Sequence, residues 1–107
     1  MSATLLRIQH LASVGQVRIS DHGYDELAAD AITVAEALGG LASAVAIEDY
    51  PESRRGPSVL ALQQDARAGP IHVVWGIRKG QDGPAVLVTA YRPDSSRWTA
   101  DFRERLR

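Results

Sequence analysis

Apolar residues recur three and four positions apart at Leu5, Ile8, Leu11 and Ala12, which puts them on one side of a helix that Gly15 can end. A short extended stretch, VRIS at 17–20, follows. Ser20 or Asp21 is then a suitable N-cap for a second helix, whose apolar stripe is read as Tyr24, Leu27, Ala28 and Ala31. Thr33 with Glu36 three positions later has the spacing of a capping box. It opens a short third helix with Val34, Ala35 and Leu38 inward, ended by Gly39 and Gly40.

Beyond Gly40 the period shortens from that of helices to that of strands. SAVAIEDY, PSVLALQQD, PIHVVWGIRKG and PAVLVTAYRP are four β-rich runs separated by proline, glycine and charged clusters. GQDG between the third and fourth reads as a hairpin loop. Short connections favour antiparallel neighbours, so the pattern predicts an α+β fold: the N-terminal helices packed on one face of a four-stranded antiparallel sheet. Alternation puts Ile71, Val73, Trp75 and Ile77 on one side of the third strand and His72, Val74, Gly76 and Arg78 on the other. In the fourth strand it groups Leu87 with Thr89 and Tyr91, against Val86, Val88, Ala90 and Arg92. Tyr91 and Arg92 then share a pocket only where the strand bends, and Pro93 is the expected place for that break. The tail WTADFRERLR has weak helical spacing and is expected to dock back or fray.

The 107 residues fit a single domain, 1–107, with 45% hydrophobic and 23% charged residues, the balance of a globular chain. No apolar run approaches the roughly 20 residues that span a bilayer. The N-terminus lacks a basic leader with a long apolar block, so a cytoplasmic protein is expected. Without cysteine there is no disulfide framework and no thiolate nucleophile or metal ligand. The net charge of -1 hides an asymmetry: residues 1–50 carry two basic and seven acidic side chains, and the rest ten basic and six acidic. Such a division makes either a basic surface for an anionic ligand or two faces that attract each other.

RISDHGYDELAADAITVAEAL, IEDYPESRRGPSVLAL, IHVVWGI and LVTAYRPDSSRW, in that order, resemble an uncharacterised domain-of-unknown-function family of small bacterial proteins. Its members read as Ser-x-His-Ala, a short helix pair, an acidic-Tyr-Pro strand end, His-Val-Val, and Ile-Thr-Ala-Tyr-x-Pro-Asp-x-x-x-Trp. The resemblance spans about residues 16–98. More distantly, the order of elements is similar to the RelE-like and BrnT-like ribonuclease toxins of toxin–antitoxin modules. That similarity implies metal-independent RNA cleavage with no cofactor and no metal, with RNA and a cognate antitoxin-like protein as partners. A base would deprotonate the ribose 2′-hydroxyl, cations would stabilise the phosphoryl charge, and an acid would protonate the leaving 5′-oxygen.

Four residues are candidates for that chemistry: His22, His72, Arg92 and Tyr91. His22 lies near the start of the second helix, with Asp25 and Glu26 at i+3 and i+4 to favour its imidazolium; the alternative is a capping role. His72 is the partner acid or base, or a structural strand-edge residue. Arg92 offers a planar fork of donors to a phosphate, against an ordinary ion pair with Asp94 or another carboxylate. Tyr91 is a phenolic donor or a half-buried rim residue. Arg54, Arg55 and Thr89 are candidates for substrate binding. Trp75 shares its face with aliphatic residues and belongs in the core. The acidic DELAAD after His22 departs from the arginines that the family carries there, and would repel RNA locally. It favours a rival reading, a non-catalytic interaction module that uses the acidic helical half and a free sheet edge. There is no Walker-type loop, no His-Glu-x-x-His helix and no Gly-x-Ser-x-Gly turn.

Overall fold

The computed structural model describes residues 2–107. In chain order the elements are α1 (Ala3–Ser13), β1 (Val17–Ile19), α2 (Asp21–Ala29), α3 (Val34–Gly39), a 3-10 turn (Leu41–Ser43), β2 (Val45–Tyr50), β3 (Ser58–Gln64), β4 (Pro70–Gly76) and β5 (Ala85–Tyr91). Each helix begins on a side-chain cap, which supplies an acceptor to an otherwise orphaned N–H. Ser2 Oγ accepts from Leu5 N at 3.0 Å, and Ser20 Oγ from Gly23 N at 2.9 Å. Thr33 and Glu36 form the expected capping box.

The strands make one mixed sheet of order β1-β5-β4-β3-β2, in which β1 runs parallel to β5 and every other pair is antiparallel. The four-stranded antiparallel expectation is thus corrected by a fifth strand. VRIS has only three residues in the ladder, too few for alternation to declare itself in the sequence. The helices do cover one face, over a core that includes Ile8, Leu27, Leu41, Ile71, Val73 and Trp75.

Two helical stripes differ from expectation. In α2 the inward residues are Gly23 and Leu27, while Tyr24 is 54% exposed. A Cβ at position 23 would stand 2.8 Å from Leu87 O, so the helix backbone itself lies against β5 and that contact sets its rotation. In the one-and-a-half turns of α3 only Ala37 is buried, and Leu38 and Ala35 face outward.

The alternation in β4 is as expected: Ile71, Val73 and Trp75 are buried against the helices, and the indole N–H of Trp75 donates to Gln63 Oε1 at 2.8 Å. His72, Val74 and Gly76 lie on the opposite face, beside Leu62, Leu60 and Ser58 of β3. The alternation in β5 is broken earlier than Pro93. Val74 pairs with Thr89 but Trp75 with Leu87, leaving Val88 as the extra residue of a bulge. Leu87 and Ala90 therefore both enter the core, and Thr89 and Tyr91 go to the helix-free face with His72. The entry to α2 takes up the ladder groups there, as Ser20 N donates to Leu87 O and Ser20 Oγ to Val88 O, both at 3.1 Å.

The C-terminal segment docks back without forming a helix. Leu106 N donates to Arg97 O and Thr99 N to Glu104 O, each at 2.8 Å, and the segment folds over the helix-free face with Trp98 buried. Among the described residues no helix is long and apolar enough to cross a membrane.

Candidate functional site

The end of β5 and the returning tail enclose the densest group of titratable side chains. His72 is fully buried under the tail. Its Nε2 lies 2.9 Å from Phe102 O and its Nδ1 3.1 Å from the Tyr91 hydroxyl. A carbonyl only accepts, so Nε2 carries the hydrogen; in the neutral ring Nδ1 is then free to accept from the Tyr91 phenol. Burial holds the His72 pKa below its ordinary 6.5, against the opposing pull of the Phe102 carbonyl. Burial likewise raises the Tyr91 phenol above 10.0. Both shifts keep the pair neutral around pH 7, with the imidazole in its base form.

Trp98 stands edge-on to His72, 4.4 Å between ring centroids, and forms the lid of this pair. Arg105 lies over Trp98 at 4.7 Å from its ring and makes two bonds to Glu48 of β2, at 2.7 and 3.0 Å. Glu48 also accepts from the Tyr50 hydroxyl at 2.7 Å. The Arg105 bonds hold the Glu48 carboxyl below its ordinary value, and Glu48 in turn raises the Tyr50 phenol.

Outside this lid runs an open groove of about 890 Å³, lined by Tyr91, Arg92, Arg97, Trp98 and Arg105 among others, with Asp94 as its acidic residue. Tyr91 and Arg92 do meet in one site, because the strand ends between them. The Arg92 guanidinium is nonetheless occupied: NH1 pairs with Asp65 Oδ2 at 2.6 Å, Nε donates to Asp30 O at 2.9 Å and NH2 to Ala31 O at 3.3 Å. Its backbone N–H donates to Asp30 Oδ2 at 2.6 Å. The ion pair that the sequence offered to Asp94 or another carboxylate is made with Asp65. Part of the acidic DELAAD is explained as well, since Asp30 holds the end of β5.

The remaining candidates lie apart from this pair. His22 is 65% exposed on α2, and its nearest charge is Glu26, 3.6 Å away. It shares no contact with His72 or Arg92, so the three do not form one cluster. Thr89 is half-buried on the helix-free face opposite Val74, two residues from Tyr91. Arg54 and Arg55 are exposed in the β2–β3 connection, and Arg55 borders a separate recess with Arg78. Among the described residues no three His, Asp or Glu side chains are grouped to hold a metal ion.

Arg97, Arg105, Glu48 and Tyr50 were not among the sequence candidates. Glu48 and Tyr50 share a strand face by period two, a signal available in the sequence. Nothing local to the tail reveals that Arg105 returns to β2, a contact 57 residues away in sequence.

One family model matches the chain, Domain of unknown function (DUF4258), over residues 19–92. No curated protein and no solved structure matches it.

Proposed function

The chain belongs to that domain-of-unknown-function family, and we propose that it acts on RNA, cleaving the backbone at the groove beside Tyr91 as the RelE-like and BrnT-like toxins do. The observation that carries this reading is the hydrogen bond from Tyr91 to a neutral, buried His72 at the edge of a groove rich in arginine. A ribose 2′-hydroxyl presented to Tyr91 loses its proton to the phenol oxygen as the phenol passes its own proton to His72 Nδ1. The 2′-oxygen then bonds to phosphorus and the P–O5′ bond breaks, giving a 2′,3′-cyclic phosphate. The departing 5′-oxygen takes a proton from solvent, and His72 returns its extra proton through Tyr91. Arg97, which makes no ion pair within 4.0 Å among the described residues and has Asp94 as a longer-range neighbour, supplies a cation for the phosphoryl charge. His22, Arg92 and Thr89 stand outside the proton-transfer pair: Arg92 holds the end of β5, and His22 lies apart on α2.

Incubation with RNA in chelator should give fragments ending in 2′,3′-cyclic phosphate. Tyr91→Phe keeps the packed ring and should slow cleavage by about 100-fold or more. Cleavage by Tyr91→Phe at the parental rate removes the phenol from the mechanism. Failure to cut any RNA, ribosome-bound message included, removes the enzymatic reading.

The second reading, a protein-interaction module, is favoured by the β2 edge. Among the described residues this outer strand pairs with β3 alone, and a recess of about 460 Å³ between it and α1 is bordered by the exposed Leu6 and Val45. An antitoxin-like strand is the partner such an edge would take.

A further inference from the structure

The helix-free face of the sheet continues past the groove to a second recess. His72, Val74 and Gly76 of β4 point to this face, opposite Tyr91, Thr89 and Val86 of β5. From His72 to Gly76 the strand advances about 13 Å at 3.3 Å per residue. At the Gly76 end lies a recess of about 260 Å³ with Val74, Val86 and Val88 among its lining residues and Arg55 and Arg78 beside them. No acidic residue lines it, and neither arginine has a carboxylate within 4.0 Å among the described residues. Position 76 leaves space by lacking a side chain: a Cβ there would be in ordinary contact with Val88 Cγ2 and Ser58 Cβ, both at 3.7 Å.

A small apolar floor between two unpaired guanidiniums matches the chemistry of a nucleotide, whose flat base packs on the valines while its phosphate meets the cations. We propose that this recess is a second nucleotide subsite, so that the substrate is an unpaired RNA strand laid along β5, with Arg97 at one end and Arg55 and Arg78 at the other. The inference rests on the RNA reading above and adds the substrate class. A strand advances about 3.4 Å per nucleotide when fully stacked in a duplex and further when unstacked. The about 13 Å of strand between His72 and Gly76 therefore takes up to about four nucleotides. Thr89, half-buried midway along β5, presents its residue to the stretch between the two ends. A paired strand has its bases turned to its complement and has none to give the recess.

The test is fluorescence anisotropy with labelled RNA oligomers of about two and about six nucleotides, on the Tyr91→Phe background so that cleavage is slow enough for binding to be read first. The single-stranded hexamer should bind about 10-fold tighter than the dinucleotide and than a hairpin whose stem holds about six base pairs. Arg55→Ala with Arg78→Ala should erase the length advantage, leave the dinucleotide unchanged, and lower the salt slope for the hexamer by about 0.7 to 1.4, corresponding to one or two phosphates lost. Val88→Glu, at a position 39% exposed and so tolerant of the change, should do the same by introducing a negative charge. Hexamer binding unaltered by both variants overturns the subsite while leaving the RNA reading intact. Equal binding of the hairpin, or of a poly-glutamate peptide, overturns the unpaired-RNA assignment. No binding of any RNA at low salt removes the RNA reading and the subsite with it.

Discussion

Arg92→Ala separates two roles that the same side chain was offered, phosphate clamp and structural strut. In the folded chain the guanidinium joins the end of β5 to the last turn of α2 and to Asp65 in the β3–β4 connection. Its two bonds to the carbonyls of Asp30 and Ala31 contribute about 0.5–1.5 kcal/mol each net, and the lower half of that range applies to a side chain that is 40% exposed. Alanine should thus cost about 1–2 kcal/mol before any contribution from the carboxylate, lowering the melting temperature by about 5–10 °C in a domain of this size. Arg92 holds the Asp65 carboxyl below its ordinary 3.8, with help from the Gly69 and Arg67 backbone N–H groups. A depressed carboxylate contributes stability above its unfolded pKa and loses it as pH falls through the folded one, so parent and variant should converge in acid. Scanning calorimetry from pH 7 down to about 3 reads both effects. An unchanged melting temperature, with RNA binding lost, refutes the strut and makes Arg92 the clamp.

Gln63→Leu should be costly, because the 2% exposed amide accepts from the Trp75 indole and donates to Ala37 O at 2.8 Å, and both partners are orphaned together. A loss of about 2–4 kcal/mol, read as a lower urea midpoint at unchanged slope, is expected; a loss under about 0.5 kcal/mol would mean that both groups find other partners. His72, whose pKa burial depresses from 6.5, is uncharged in the fold while the unfolded chain takes up a proton below that value. Its contribution is therefore present above pH 6.5 and declines as pH falls toward the lower folded pKa. The urea midpoint should drop between about pH 7 and 5.5 in the parent and stay level in His72→Gln; equal slopes would show that His72 titrates alike in both states.

The fold was legible wherever one period ran long enough. Seven-residue strands with uninterrupted alternation, β4 above all, declared their buried face and put Trp75 in the core. Three-residue β1 showed only as an extended stretch and not as a member of the sheet, since its place there is set by the partner β5 and by the cap at Ser20. The rotation of α2 was hidden because a glycine, which no hydrophobic scale marks as inward, stands where a Cβ would crowd the sheet. At the site, His72 and Tyr91 were found as separate candidates, and the bulge at Val88, invisible to strict alternation, is what brings them to one face. Trp98 and Arg105 come from a tail whose order depends on contacts far away in sequence, so nothing local announces them.

Part of the charge asymmetry between the two halves is internal attraction. Arg92 answers Asp65 and the Asp30 region, and Arg105 answers Glu48, so part of the basic excess after residue 50 is spent on internal attraction. Those two arginines hold the sheet end and the lid over His72. Arg55, Arg78 and Arg97 have no such partner among the described residues, and they border the groove or the second recess. Beside apolar and aromatic surface, these cations would offer the proposed RNA strand charge and packing together. The acidic face of α2 then fits the RNA reading as well, because Asp25 and Glu26 border neither the groove nor that recess.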